Sequence, residues 1–407
     1  MSSLKSNTLL CFISLGSKLC SNIVVLMALG RFLKVADYGL FTYAFTITNI
    51  AIVFVDYGFN IHAIKHIAAE QNKAQRYVAA ASLFKLFLVL IMLCGIVGFG
   101  VLSHYDENTW KVVLLLSLGA IFNSFSVFYG TVYRGLNRFA IDTITSIIAN
   151  IVFVLFVMLS AYLTRDVLIV SYAFLAARFV YFAISIGCII KNSLLVMSIS
   201  SVVKLKNIYI ESLPFGIHAL FGALYFNSDT IIVNEVLSIT DVATYQAVCR
   251  IVMGIIFIAE VLTSAFYPEL VRTIGDKERF VKISKKYLSL CLIISLCSIL
   301  VLTPYAKEIL NIVYGGKYQY AENLLRILGF SVPIKYLGYY YGTLLTAIGM
   351  QYIRANTAIV ASIISIGLNV ALTGSYGLCA PAWVTLIVNS FVLLMFMSAY
   401  AKAKRRT

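Results

Sequence analysis

Nine ionisable residues stand out within stretches that are otherwise apolar: Lys18, Asp56, Lys85, Arg178, Asp229, Arg250, Glu260, Arg326 and Lys335. A full charge in hydrocarbon costs about 3 kcal/mol on insertion scales, so such groups face water, a ligand or one another. Their spacing groups them on helix faces. Ser14, Lys18 and Asn22 repeat every four residues, with Ser17 and Ser21 beside them; Thr42, Thr46, Asn49, Asp56 and Asn60 follow at steps of four, three, seven and four. Gln246, Arg250, Glu260 and Ser264 share a face, as do Ser362, Ser365, Asn369 and Thr373; the last set reads equally well as hydroxyl packing between helices. Six basic against three acidic positions leave the interior net positive, which suits an anionic solute and disfavours a pump for lipophilic cations. Ion pairing within the set, for instance Arg250 with Asp229, is the structural alternative. Lys85 lies near the start of its span and has the reach to snorkel, and Arg326 is expected at an interface. A lone His218 reads as a hydrogen-bonding residue. His62 and His66 have helical spacing but no third ligand, so no metal site and no cofactor are expected.

The elements that must position these groups follow from composition. The 407 residues are 61% hydrophobic and 12% charged, with a mean hydropathy of +0.93; a soluble domain carries roughly a quarter charged residues. A spanning helix needs about 20 apolar residues. Twelve such stretches occur, near 8–30, 39–63, 78–103, 112–133, 141–163, 167–190, 212–234, 243–266, 287–303, 324–348, 355–373 and 376–400. The runs are continuous, which excludes the alternating pattern of a β-barrel. The first is longer than a signal-peptide core and ends at Gly30-Arg31-Phe32, so it is expected to be a span. Cysteines fall within the spans without a Cys-x-x-Cys pair and read as small packing residues.

With both termini placed in the cytoplasm, twenty of the thirty-two Lys and Arg fall on that side and six on the other. The larger inner groups are Lys65, Lys73 and Arg76; Lys191, Lys204 and Lys206; and Arg272 through Lys286. This bias supports an even number of spans with both ends inside. It also accounts for the net charge of +15 through topology and anionic lipid headgroups, with no nucleic acid.

The longest weakly hydrophobic stretch, 191–211, divides the chain into an expected N-terminal lobe, 1–190, and a C-terminal lobe, 212–407. The halves resemble each other. Asp37 and Asp56 fall on Asp241 and Glu260 at an offset of 204, and Gly130-Thr131 on Gly342-Thr343 at 212. Parallel six-span repeats are a transporter plan. Gly338 to Gly342 reads as a small-x-x-x-small packing face. The five prolines, Pro214, Pro268, Pro304, Pro333 and Pro381, all lie in the second half, where they could kink or hinge spans.

Several local patterns extend this reading to a family. Arg31 through Phe41 resembles an Arg-x-Leu-Gly-x-x-x-Tyr-Gly turn, with Lys34 where Gly is usual; Pro214 to Gly216, followed by Asp229-Thr230-Ile231-Ile232, resembles Pro-x-Gly…Asp-x-Ile-Ile. Thr244-Tyr245-Gln246-Ala247, Tyr314-Gly315 and Tyr376-Gly377 with Ala380-Pro381-Ala382 continue the pattern. The chain thereby resembles the polysaccharide-export branch of the multidrug/oligosaccharidyl-lipid/polysaccharide exporter superfamily, most closely the Wzx-type O-antigen flippases. The resemblance implies an all-α integral membrane protein with twelve transmembrane helices in two six-helix lobes around a central cavity. It implies a cargo of undecaprenyl-pyrophosphate-linked oligosaccharide moved across a bacterial cytoplasmic membrane. On that model Lys18 and Arg250, with Lys85 and Arg178, neutralise pyrophosphate, and Asp56, Asp229 and Glu260 couple transport to a proton or sodium gradient. Polymerase and chain-length proteins of the same pathway are implied partners. The rivals are a drug/cation antiporter of the same superfamily and a membrane glycan polymerase or ligase. The latter usually needs a large outer loop with catalytic groups, and none is long enough here.

Overall fold

The computed structural model describes residues 2–71, 74–194 and 206–404. Lys73, Lys204, Arg405, Arg406 and most of the expected 191–211 linker lie outside the described residues, as does the side chain of His218. The described chain is helical: α1 (Ser2–Phe32), α2 (Val35–Asp56), α3 (Phe59–Ala69), α4 (Ala74–Leu102), α5 (Glu107–Gly135), α6 (Phe139–Thr164) and α7 (Val167–Lys191). These are followed by α8 (Lys206–Val236), α9 (Ile239–Arg272), α10 (Lys277–Leu302), α11 (Ala306–Tyr314), α12 (Glu322–Ala347), α13 (Gln351–Tyr376) and α14 (Cys379–Lys404). Leaving aside the short α3 and α11, twelve helices are long enough to cross a bilayer, at about 1.5 Å rise per residue. Among the described residues, ten candidate spans also contain a strongly apolar stretch of 18 residues. In α8 and α12 the polar residues Asn227, Asp229 and Asn234, and Arg326 and Lys335, dilute the hydropathy.

Two expectations are corrected. The second span does not run unbroken through 39–63: it breaks after Asp56, where Tyr57 (φ 46°) and Gly58 (φ 80°) turn the chain left-handed before α3. The break is enforced by packing. A Cβ at Gly58 would lie 2.5 Å from the Ser212 carbonyl and 2.7 Å from the Gly216 nitrogen, and one at Gly216 would lie 3.1 Å from the Tyr57 carbonyl. Two glycines thus let the turn touch the α8 backbone. The ninth span extends well before its expected start at 287: α10 has 26 residues, because its basic first turns, Lys277 to Lys286, continue the helix beyond the apolar core.

Helix starts are fixed by side chains taking up free backbone N–H groups. Asp166 accepts from Leu168 and Ile169 at 2.7 and 3.2 Å, Ser238 from Asp241 at 3.2 Å, and Asp276 from Arg279 at 3.1 Å.

Contacts divide the chain into two units, Met1–Ala223 and Leu224–Thr407, with the division falling inside α8. Within the first, α5 packs on α2, α4, α6 and α7; within the second, α12 packs on α9, α10, α13 and α14. Counted from each half's first span, both organising helices are the fourth, and each touches the second, third, fifth and sixth. Buried tyrosines tie the second unit to helix carbonyls: Tyr314 Oη donates to Ala247 O at 2.8 Å and Tyr336 Oη to Ile255 O at 2.7 Å. Gly338 has open space around it, whereas Gly342 lies against Arg354 and Phe396, so only one end of the expected glycine face is packed closely.

Candidate functional site

The first unit encloses a cavity of about 190 Å³ reached by five helices. Its polar lining is Ser14 and Lys18 from α1, Asn60 from α3, Asn123, Thr131 and Arg134 from α5, Ser146 and Asn150 from α6, and Arg178 and Tyr181 from α7. Three cations and no carboxylate are among the described lining residues. Arg178, 5% exposed, has its guanidinium 4.0 Å from the Phe153 ring centroid and 5.3 Å from that of Phe174. It donates to neutral amides, Asn123 Oδ1 at 3.1 Å and Asn22 Oδ1 at 3.3 Å, and its Nε is buried without a partner among the described residues. Asn60 Oδ1 is likewise unpartnered. A buried arginine held by amides and aromatic faces keeps its positive charge uncancelled by any carboxylate.

Arg134 is fixed instead by Asp142, Nε to Oδ2 at 2.8 Å, and Asp142 is 1% exposed. Gly130 makes room for that carboxylate, since a Cβ there would collide with Asp142 Oδ1. Neither Arg134 nor Asp142 was in the set expected from sequence. Asp142 stands just inside the fifth apolar run, 141–163, and Arg134 falls just past the fourth, 112–133. Their separation of eight residues across a helix–turn–helix was the available signal.

Lys85 does not reach this cavity and does not snorkel. It is fully buried, 2.8 Å from Asp56 Oδ1, and donates to Ser124 Oγ at 2.7 Å. Ser124 donates in turn to the same carboxylate oxygen at 2.5 Å, and the ammonium lies 5.5 Å from the centroids of Phe125 and Phe128. Asp56 and Lys85, assigned separate roles from sequence, are one ion pair, its lysine fully buried and its carboxylate 29% exposed.

The second unit centres on a carboxylate. A cavity of about 50 Å³ is lined by Asp229, Tyr225, Tyr245, Ser331, Lys335, Ser365, Thr385 and Asn389. Asp229 accepts from Tyr245 Oη at 2.5 Å, from the Thr230 N–H at 2.8 Å and from Thr230 Oγ1 at 3.3 Å. Arg250 does not pair with it directly. Its Nη2 donates to Gln246 Oε1 at 2.6 Å, and Gln246 Nε2 donates to Thr230 Oγ1 at 2.5 Å, so a neutral relay joins guanidinium to carboxylate. Glu260 stands apart, accepting from Tyr339 Oη at 2.7 Å. Arg326 is held at a helix start by Glu322 at 3.6 Å and by the Thr303 carbonyl at 3.2 Å. The eleventh-span stripe is buried at all four positions.

His62 bridges Tyr77 Oη at 2.9 Å and Glu211 Oε2 at 3.0 Å. Among the described residues no group of three His, Cys, Asp or Glu side chains is placed to hold a metal.

Long apolar helices around buried charged cavities define an all-α integral membrane protein with a transporter's architecture. The profile of the polysaccharide biosynthesis protein family matches residues 4–274, and the chain belongs to that family. The MatE profile also matches 214–373. Among curated relatives, a probable low-salt glycan biosynthesis flippase, Agl15 of Haloferax volcanii, is 21% identical over 92% of this chain and 79% of its own. The capsular polysaccharide biosynthesis protein CapF of Staphylococcus aureus is 21% identical over 48% of this chain, and the match spans about half of that relative's length (50%). Among solved structures, an inward-facing multidrug resistance MATE family transporter of the MOP superfamily superposes with a TM-score of 0.74 at 14% identity, covering 96% of this chain and 95% of that one. The lipid II flippase MurJ, in an inward closed conformation, gives 0.75 at 15% identity over 97% and 87%. At these identities the two structures establish the shared fold.

Proposed function

We propose that this protein is a flippase that carries an undecaprenyl-pyrophosphate-linked oligosaccharide from the cytoplasmic to the outer face of a bacterial cytoplasmic membrane, its termini in the cytoplasm. The observation that carries the reading is the cavity lined by Lys18, Arg134 and Arg178. Arg178 there offers an unused buried N–H beside aromatic walls. Guanidinium forks and an ammonium match a pyrophosphate, and an amide-rich lining accepts sugar hydroxyls. The polyprenyl tail stays in lipid while the polar head crosses by alternating access. Names of the glycan relatives agree in substrate class. A lipophilic cation would have to enter past Lys18 and Arg178, with only Arg134 neutralised by a carboxylate, Asp142.

Lys18 and Arg178 are the primary pyrophosphate ligands in this reading, and Arg250 a second cationic group. Lys85 serves through Asp56. Asp56, Asp229 and Glu260 are the carboxylates proposed for coupling to a proton or sodium gradient; replacing all three by amides should abolish gradient dependence, and unchanged dependence would sink that role. The test of the cargo is the side of the membrane on which lipid-linked sugars accumulate in a deletion strain. Intact units trapped on the cytoplasmic face, released by the wild-type gene but not by Lys18→Ala with Arg178→Ala, would support the flippase. Single units accumulating on the outer face would instead place the defect in polymerisation.

A further inference from the structure

The second unit has a groove that its cavity chemistry does not use. It holds about 940 Å³ between the start of α10, the start of α13 and the end of α14, at the upper end of the range of about 300–1,000 Å³ typical of ligand pockets. Its walls are largely apolar and unpacked: Val281, Tyr352, Val360 and Met395 are each at least 42% exposed. Lys277 and Lys402 stand among its lining residues. A second depression beside it is formed by Lys277, Glu278, Val281, Lys282 and Lys285. Residues 272–286 carry six basic and two acidic side chains, so the basic excess gathers where the apolar walls meet the end of the helices.

The first unit closes the corresponding corner. There the third span, α4, is tied to the end of the sixth, α7, by Gln75 Nε2 donating to the Ser193 carbonyl at 2.6 Å. Asn192 is held by Arg138 at 3.0 Å and by Tyr133 Oη at 3.2 Å. In the second unit the same two spans, α10 and α14, are separated by the groove.

We propose that this groove binds a glycerophospholipid with an anionic headgroup, its acyl chain between α10, α13 and α14 and its phosphate at Lys277 and Lys402. Charge complementarity selects the occupant. An apolar groove opening onto a basic rim, on helices that cross a bilayer, matches an anionic lipid of the adjoining leaflet. A neutral or zwitterionic lipid gains the apolar contact without the ionic one. The site is separate from the cavity around Arg178, and its occupancy is readable without transport.

The experiment is native mass spectrometry of the full chain released from detergent, with phosphatidylglycerol and phosphatidylethanolamine of identical chains added as competitors. Phosphatidylglycerol is expected to be retained preferentially. Lys277→Gln and Lys402→Gln should each weaken retention roughly fivefold, from the contribution of one basic side chain near an anionic surface. Ala399→Trp, which fills the groove, should remove retention of both lipids, while Lys307→Gln, remote in the sequence and outside the lining, should change nothing. Equal retention of the two lipids would reduce the groove to bulk-lipid contact and overturn the proposal. So would displacement of phosphatidylglycerol from the wild type by undecaprenyl phosphate, which would assign the groove to the carrier lipid. Loss of flipping by Lys18→Ala with lipid retention intact separates this site from the transport reading.

Discussion

The two units place charge differently on the same helix plan. In the first, the cavity is cationic, and its arginines are held by amides, aromatic rings and one carboxylate. In the second, Asp229 is the centre, and its neighbours are hydroxyl donors with Lys335 nearby. The contrast is sharpest at a pair of equivalent positions. At the offset of 212 residues that maps Gly130 onto Gly342, Arg134 maps onto Thr346 and Asp142 onto Arg354. Both pairs make the same contact: Arg134 to Asp142 at 2.8 Å, and Arg354 Nη1 to Thr346 Oγ1 at 2.9 Å. Each is packed against its glycine. The backbone frame and the close approach are kept, while the charge of the fifth-span residue is reversed. A repeated fold fixes where a polar group stands, and the sequence of each copy then chooses its sign.

Variants of the two units test that contrast. The largest effect is expected from Lys18→Ala with Arg178→Ala. Loss of hydrogen bonds to charged groups, about 1.5–3 kcal/mol each, should reduce flipping in membrane vesicles by at least about 100-fold. Asp229→Asn in the second unit should leave binding of the glycan lipid in place. Equal losses of binding from both units would erase the distinction. Next is Lys85→Met, which removes the charged hydrogen-bond partner of the part-exposed Asp56 and should cost about 1.5–3 kcal/mol in thermal unfolding. The double variant with Asp56→Leu should recover most of it, and failure to recover would mean that the pair serves more than mutual neutralisation. Gly130→Ala forces the Asp142 carboxylate aside and should cost about 1–3 kcal/mol. Gly342→Ala meets the flexible Arg354 side chain at 3.3 Å and should cost less than about 1 kcal/mol. A reversed order would refute the equivalence. Smallest is Gln75→Ala, which removes an exposed hydrogen bond worth about 0.5 kcal/mol, read as faster hydrogen exchange at the end of α7 with none at α14.

Much of this was legible in the residues. Continuous apolar runs gave the helices, and the net-positive interior anticipated a cationic cavity. Lys18 and Arg178 do line it. Less legible were the pairings. Lys85 read either as a pyrophosphate-binding cation or as a snorkelling side chain, because distance from a span's end says nothing about which way the helix faces. Asp142 lay just inside an apolar run, and Arg134 just past the end of another, where a cytoplasmic loop was expected. The break at Tyr57-Gly58 was hidden because the hydropathy continues across it; what stops the helix is the α8 backbone, more than 150 positions later.

The sequence by itself determined that lipid is this protein's solvent, since backbone polar groups can cross hydrocarbon only in long, internally bonded apolar helices. It also determined the excess of basic over acidic groups at membrane depth. Tertiary structure alone decided which charges meet. Lys85 finds Asp56 29 positions away, and Arg178 finds Asn22 across 156. Such partners are chosen by the rotation and register of packed helices, which depend on the side chains of every neighbour at once.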